Sequence, residues 1–252
     1  MSIFKNLTNT GLEQTTDNLG GGSFTRESDI YSGKIKMAYA GAAKSGARFI
    51  QLIVDFGDGK EYKETTYITN KAGENFYLNK SDNTKKVPLP GFVTIDDICL
   101  CATGKPLAEQ DAEDKVVKIY DFDAKAELPT SVPVLVDLIG KDISLAILKV
   151  IENKQAKDAS GNYVATAETR EINSIDKVFD TDSRMTVVEA RNGAETPVFW
   201  DNWLERNKGK ARDKTAKVIG GGNPGAPGSN AARSGPPQAG AAPSRPSLFG
   251  KK

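Results

Sequence analysis

The chain has 252 residues, of which 38% are hydrophobic and 27% are charged, as in an ordinary soluble globular protein. It contains no histidine, which excludes histidine-based acid–base catalysis and the Ser-His-Asp and Cys-His nucleophilic sites. Two cysteines without histidine also leave a zinc site short of ligands. No apolar run approaches the roughly 18 residues of a membrane span, and the first residues lack a secretory core. We therefore expect a cytoplasmic protein.

Charge is distributed unevenly along the chain. The net charge is +1, but residues 207–252 hold nine basic residues and one acidic residue, a net charge of +8. The first 206 residues therefore carry −7. Phosphate contacts supply most of the non-specific affinity of a nucleic-acid binder. Such a function would need either basic residues gathered on one face of the acidic body or a contribution from the basic tail.

Composition divides the chain into three parts. Residues 1–24 are mostly polar and include three consecutive glycines, so they predict a flexible N-terminal arm. Residues 25–206 alternate in the way that folded strands do. Residues 207–252 are rich in Gly, Pro, Ala and basic residues and predict a disordered tail, which ends near Leu248 and Phe249.

The first half of the folded part predicts strands. Residues 30–40 alternate between apolar residues and lysines, residues 48–56 are more uniformly apolar, and Asp58-Gly59 is a hairpin turn signal. Strands are also predicted at residues 61–69 and 75–78, followed by a loop at residues 80–90.

The second half predicts a helix and further strands. Thr94, followed by Asp97 and an apolar run, indicates a helix over residues 94–102. Cys99 and Cys101 within it fit buried packing residues. Strands are predicted at residues 115–122, 131–139, 143–152 and 163–175, with a hairpin at 140–142 and short helices at 187–191 and 198–206. Together these elements indicate a mostly β protein with short helices, an OB-fold-like β-barrel with insertions.

Several peptides resemble single-stranded DNA-binding (ssDNA-binding) proteins of tailed bacteriophages. The similarity covers roughly residues 25–215 and lies in six peptides: residues 58–62 (DGKEY), 66–70 (TYITN), 132–138 (VPVLVDL), 168–171 (ETRE), 176–179 (DKVF) and 203–210 (WLERNKGK). The resemblance implies an OB-fold that coats ssDNA during replication, recombination and repair in the host cytoplasm, with no catalysis and no cofactor.

The resemblance also implies protein partners. Many such proteins end in an acidic tail with a terminal aromatic residue that recruits replication enzymes. Here the tail is basic, although Phe249 stands near its end. The resemblance implies that the tail recruits a polymerase or primase-helicase, and the basic charge of this tail departs from the pattern on which that expectation rests.

Sequence-independent binding of ssDNA requires cations for phosphates and aromatic faces for bases. In an OB-fold the cleft crosses strands 2 and 3 and is flanked by two loops. Mapped onto the predicted strands, the expected DNA-binding residues are Lys34, Lys36, Lys44, Arg48, Tyr62, Lys63, Tyr67, Lys71, Phe76, Tyr77, Lys80, Lys154, Lys157 and Tyr163.

Strand periodicity limits this set. Tyr62 and Tyr67 differ in parity, so both cannot face the cleft on an unbulged strand, and one of the neighbours Phe76 and Tyr77 is expected to point inward. Trp200 and Trp203 are expected to be packing residues.

Two other functions remain open from the sequence. Asp121 with Asp123, or Asp96 with Asp97, could hold Mg²⁺ in a nuclease, although solvated surface acids explain them more simply. A phage structural or scaffold protein that makes contacts through its tail would show no salt-dependent affinity for oligonucleotides.

Overall fold

The computed structural model describes residues 24–121, 123–158 and 160–216. The fold is mostly β. Its strands are β1 (Asp29–Ala42), β2 (Arg48–Asp55), β3 (Glu61–Tyr67), β4 (Phe76–Asn79), β5 (Asp82–Pro88), β6 (Ala112–Asp121), β7 (Ala126–Leu135), β8 (Asp142–Lys157), β9 (Tyr163–Phe179) and β10 (Arg212–Asp213). Its helices are α1 (Pro90–Thr103), α2 (Val187–Arg191) and α3 (Val198–Asn207), with 3-10 turns at Leu107–Glu109 and Val136–Leu138.

The long strand β1 organises the main sheet. Its first part, through Lys34, pairs antiparallel with β8, and its second part, from Lys34 onward, pairs antiparallel with β2. A bulge between Ile35 and Met37 lies just beyond this change of partner. β3 continues the sheet beyond β2, β9 pairs with β8, and β6 and β7 form a hairpin that joins β1 at Tyr39. β4 and β5 form a separate two-stranded sheet.

The main core lies on the side of this sheet where α1 packs. Alternate residues of the strands point inward, among them Ile50, Leu52 and Val54, and pack with the apolar side of α1. Pro90 stands in the first turn of α1, where its missing N–H costs nothing, and Gly104 ends the helix with a left-handed φ of 75°.

Some local predictions for the helix are corrected. Thr94 was expected to cap it but lies in its second turn, where its hydroxyl donates to the Pro90 carbonyl (3.1 Å). The cap residue is Leu89. Cys99 and Cys101 are buried and free, as expected of packing residues.

The sheet does not close into a barrel, which corrects the expected closure. β3 and β9 are both edge strands, and side chains bridge them instead of a backbone ladder. The Glu64 carboxylate accepts the Ile175 N–H (3.0 Å), and Arg26 exchanges two hydrogen bonds of 2.8 Å between its backbone and the Asn173 side chain. We call this junction the seam. The residues just before β1 enter it and replace a direct β3–β9 pairing.

The predicted hairpin at residues 140–142 is wrong. β7 ends at Leu135, and β8 pairs with β1 and β9 rather than with β7. The loop predicted at residues 80–90 contains strand β5. The strands predicted at 143–152 and 163–175 are longer than expected: β8 continues to Lys157, and the segment between the two predictions belongs largely to the β8–β9 hairpin.

The described chain extends past the predicted domain end at residue 206. β10 pairs parallel with β8 at Val150 and Ile151, and the Ser28 hydroxyl donates to the Lys210 carbonyl (2.6 Å). Trp203 is the buried residue of α3, and its indole N–H donates to Asp176 (2.8 Å), which confirms its packing role. The rest of the predicted arm and tail lies outside the described residues. No helix among the described residues is long and apolar enough to cross a membrane.

Candidate nucleic-acid interface

The side of β2 and β3 that faces away from the main core carries aromatic and polar side chains. Its residues, which we call the outer face, are Phe49, Gln51, Ile53, Lys63, Thr65 and Tyr67. The register places Phe49 opposite Tyr67, Gln51 opposite Thr65 and Ile53 opposite Lys63. Because cross-strand partners share a face, these side chains form a continuous strip along both strands.

An aromatic pair occupies one end of the outer face. The rings of Phe49 and Tyr67 lie edge to face with centroids 5.8 Å apart, and Tyr67 is 51% exposed. Phe49 fits because its neighbour on β1 is Gly41: a Cβ there would lie 2.4 Å from the Phe49 ring. Tyr67 was expected at the site, whereas Phe49 was missed, although the alternation of β2 around Gln51 carried the signal.

Three cations lie in the two loops and at the strand end that adjoin this aromatic pair. Lys44 lies in the β1–β2 loop, Arg48 begins β2, and Lys71 lies in the loop after β3; all three are exposed. The two loops adjoin, since the Arg48 N–H donates to the Thr69 hydroxyl (2.8 Å) and a Cβ on Gly46 would lie 3.1 Å from the Lys71 carbonyl oxygen. Within the described chain, none of the three side chains forms an ion pair. We call Lys44, Arg48 and Lys71 the cationic rim.

The lysines at the other end of the strip are neutralised by acids. Lys34 pairs with Asp142 (2.8 Å), while Lys36 and Lys63 both pair with Glu61 (2.7 and 3.2 Å). The hydrogen bond to Glu61 raises the pKa of Lys36, and the same contact lowers the pKa of Glu61. All are exposed, so the pairs exchange readily with solvent ions, but their positive potential is weaker than that of the cationic rim.

Tyr62 does not belong to the interface. It is buried, its hydroxyl donates to Glu64, and burial followed by the Glu64 charge raises its pKa. Its even position on β3 directs the side chain to the core, whereas Tyr67 points to the other face of the strand. The expectation that Tyr62 stacks on a base is therefore corrected.

A cleft of about 400 Å³ opens at the seam beside the outer face. Phe24 lies at its rim, with the Lys60 ammonium 3.5 Å above its ring, and Lys63 also lines the cleft. Arg26 is buried behind it and forms an ion pair with Asp58, whose pKa the Arg26 hydrogen bond lowers to about 2. Phe24 was missed because it falls in the segment predicted as an arm.

The expected residues of the β4–β5 hairpin lie on the separate sheet. Lys80 is exposed in the turn, Tyr77 is about half exposed, and Phe76 packs under the Lys86 ammonium, 4.3 Å from its ring centroid. The hairpin follows directly from the loop that carries Lys71. These residues are therefore connected to the cationic rim through the chain, on a different surface.

The expected residues of the β8–β9 hairpin also form their own group. Lys154 pairs with Glu168 (3.0 Å), and the Lys157 ammonium lies 5.5 Å from the ring of Tyr163, which is 66% exposed. Among the described residues, no ion pair or ring contact joins this group to the outer face. Residues that the sequence predicted in one cleft thus lie on the β2–β3 part of the main sheet, on the separate β4–β5 sheet and on the β8–β9 hairpin.

In the two acidic pairs considered for Mg²⁺, carboxylates accept hydrogen bonds from backbone N–H groups. The Asp121 carboxylate accepts the N–H groups of Asp123 and Ala124 in the β6–β7 turn (2.8 and 2.7 Å), and Asp96 accepts the Leu107 N–H (2.8 Å). Burial and the neighbouring Asp96 raise the pKa of Asp97 to about 6. No group of three or more metal-ligating side chains occurs in the described parts of the chain.

Comparison of the chain with models of known protein families and with curated proteins found no match.

Proposed function

We propose that the protein binds single-stranded DNA without catalysis, through the outer face and the cationic rim. One observation carries the proposal: an aromatic pair with an exposed Tyr67 lies on a sheet surface, and the adjoining loops and strand end hold three exposed cations that form no ion pair in the described chain. Bases of any sequence can stack on a ring while phosphates contact the cations.

The dimensions of the strip suit a short stretch of a nucleic-acid strand. β3 has seven residues and spans roughly 20 Å at about 3.3 Å per residue. A strand that starts over Tyr67 would pass Thr65 and Lys63 and reach Phe24 and Lys60 at the cleft. This length corresponds to a small site of about four nucleotides, the lower end for OB-folds.

We propose further that the fold is an OB-fold left open at the seam. β1 is shared between β2 and β8, a helix follows β3, and β9 returns beside β8. The β4–β5 and β6–β7 hairpins are then insertions. In this arrangement the outer face corresponds to the ligand surface of strands 2 and 3 in an OB-fold.

The resemblance to phage proteins supports a role in the replication, recombination and repair of phage DNA. In that setting the protein protects and organises exposed strands in the host cytoplasm. The basic residues beyond Ala216 add attraction for phosphates, whereas Lys208 and Arg212 pair with Asp29 and Asp176. Contacts with a polymerase or primase-helicase through the tail belong to the same proposal.

A titration with fluorescent oligo-dT and with duplex of equal length, at two salt concentrations and with Mg²⁺ present, tests the function. We expect tighter binding of the single strand, a steep loss of affinity with salt, and an intact oligonucleotide. Equal affinity for duplex, salt-independent binding or degradation of the oligonucleotide would contradict the proposal.

The Tyr67→Ala variant tests the site. Loss of one stacking platform is worth about 1–3 kcal/mol, so we expect a roughly 5- to 150-fold weaker affinity. Tyr120→Ala is the comparison variant, because Tyr120 has a similar exposure (50%) but lies on β6, which is not one of the two strands of the outer face. Equal losses in the two variants would place the DNA elsewhere.

A further inference from the structure

Strand β6 has a free edge. It pairs with β7 along its whole length, from Ala112–Leu135 to Asp121–Ala126, and with no other strand among the described residues. Its centre is solvent-facing, since Val116 is 72% exposed. A free, regular, partly apolar edge is a template for pairing with another strand.

The direction of the backbone groups on this edge follows from one hydrogen bond. The Val136 N–H donates to the Asp111 carbonyl (3.1 Å), next to the Ala112–Leu135 pair. In an antiparallel pair, alternate residues direct both backbone groups toward the partner strand. The odd-numbered residues of β6 therefore bond to β7. The even-numbered ones, including Val116, direct their N–H and C=O groups to the free edge.

The charged side chains on either side of Val116 are complementary between two antiparallel copies of β6. Asp114 and Lys118 stand two residues before and after it, on the same face. Neither forms an ion pair with another described residue. If two β6 strands pair antiparallel about a two-fold axis at Val116, each Asp114 faces the partner's Lys118. If the axis lay at Lys115 instead, the two Lys115 side chains would face each other. If it lay at Val117, Glu113 would face the partner's Asp121.

We propose that two copies of this chain associate through their β6 edges, antiparallel and centred on Val116. The pairing extends the β6–β7 hairpins into a four-stranded sheet with two Asp114–Lys118 contacts and a central Val116 contact. The inference is independent of DNA binding. Because the interface is confined to two strands, the association is weak and is tested at high protein concentration.

Cysteine cross-linking of the full chain without DNA tests the register. The native cysteines are buried, so Val116→Cys introduces an accessible thiol, and the two-fold axis brings it opposite its own copy. Ser131→Cys is the matched control, because Ser131 is exposed and pairs with Val116 on the inner strand of the hairpin. We expect Val116→Cys to form a covalent dimer rapidly under a mild oxidant, while Ser131→Cys and the parent form no covalent cross-link. Equal rates for the two variants would overturn the proposal.

Charge reversal tests the complementarity by sedimentation equilibrium. Asp114→Lys places lysines opposite each other at both contacts, and we expect about tenfold weaker association, because two cross-strand pairs change from attractive to repulsive. Adding Lys118→Asp in the same chain restores opposite charges, and with them the association. A parent that remains monomeric at every concentration, or a double variant as weak as Asp114→Lys, would refute the edge pairing.

Discussion

At the scale of single residues, the position of the Phe49 ring depends on the absence of a side chain at Gly41. A Cβ at this position would lie 2.4 Å from the ring, closer than such contacts occur. We expect Gly41→Ala to displace Phe49, to lower the free energy of unfolding by about 1–3 kcal/mol and to weaken ssDNA binding. Urea denaturation and an oligo-dT titration measure the two effects.

A second substitution provides the control for this collision. In a Phe49→Ala background the ring is gone, so Gly41→Ala costs little further stability if the collision is the cause. If Gly41→Ala has the same cost with and without the Phe49 ring, the backbone rather than the ring requires glycine.

Asp97 predicts a pH dependence of stability. Burial, followed by repulsion from Asp96, raises its pKa from 3.8 to about 6. The folded state therefore favours the protonated acid: its stabilising effect is full below about pH 4 and is lost as the pH rises through about 6. The shift of about two units corresponds to roughly 3 kcal/mol at pH 7.

Asp97→Asn removes this titration. We expect the variant to be more stable than the parent at pH 7, with a difference that shrinks as the pH falls from 6 to 4. Urea unfolding of both proteins across this pH range measures the difference in their unfolding free energies. Groups that titrate equally in both proteins cancel in this difference. A variant that is less stable at pH 7 would mean that attraction to Arg191 and Lys177 outweighs burial.

At the scale of secondary-structure elements, the Glu64 carboxylate forms the direct hydrogen bond from β3 to β9 at the seam. Glu64 accepts the Ile175 N–H and the Tyr62 hydroxyl, and no backbone pair joins β3 to β9. Glu64→Ala leaves both donors without this acceptor, so we expect a loss of about 2 kcal/mol in unfolding free energy and faster amide exchange at Ile175.

Glu64→Gln distinguishes the hydrogen bonds from the charge. The amide oxygen of glutamine can still accept the Ile175 N–H, and burial already raises the pKa of Glu64. We therefore expect most of the protection at Ile175 to return. If both variants exchange at the parental rate, the carboxylate does not hold the seam.

Local periodicity predicted the first three strands and the two short helices, but it missed β5. The positions of β1, β2 and β3 and of the two short helices agree with the sequence prediction to within about two residues at each end. The failure at residues 140–142 has a long-range cause. The Gly140 N–H donates to the Ile35 carbonyl and the Ile35 N–H donates to the Lys141 carbonyl, so this turn binds β1 instead of folding β7 onto β8.

The sequence predicted only part of the candidate site, for a similar reason. Strand parity and loop position identified Tyr67, Lys44, Arg48 and Lys71. The acids that neutralise the other lysines come from distant segments, as in the pair of Lys34 with Asp142. No local pattern records such a partner.

At the scale of the whole molecule, charge separation sets the ionic behaviour. The first 206 residues carry −7, so the cationic rim and the basic tail must supply the attraction for phosphates. We expect a chain ending at Ala216, which lacks five basic residues, to bind oligo-dT more weakly at low salt and with a smaller salt slope. An unchanged slope would exclude the tail from phosphate contact.

Ultraviolet cross-linking of oligo-dT to the full chain, with the adducts mapped by mass spectrometry, tests the location of the DNA most directly. Aromatic rings that stack on bases are the groups positioned to form adducts. We expect adducts at Phe49 or Tyr67, with Phe24 as the next position along the strand. Adducts confined to Tyr77 or Tyr163, with none on the outer face, would contradict the account.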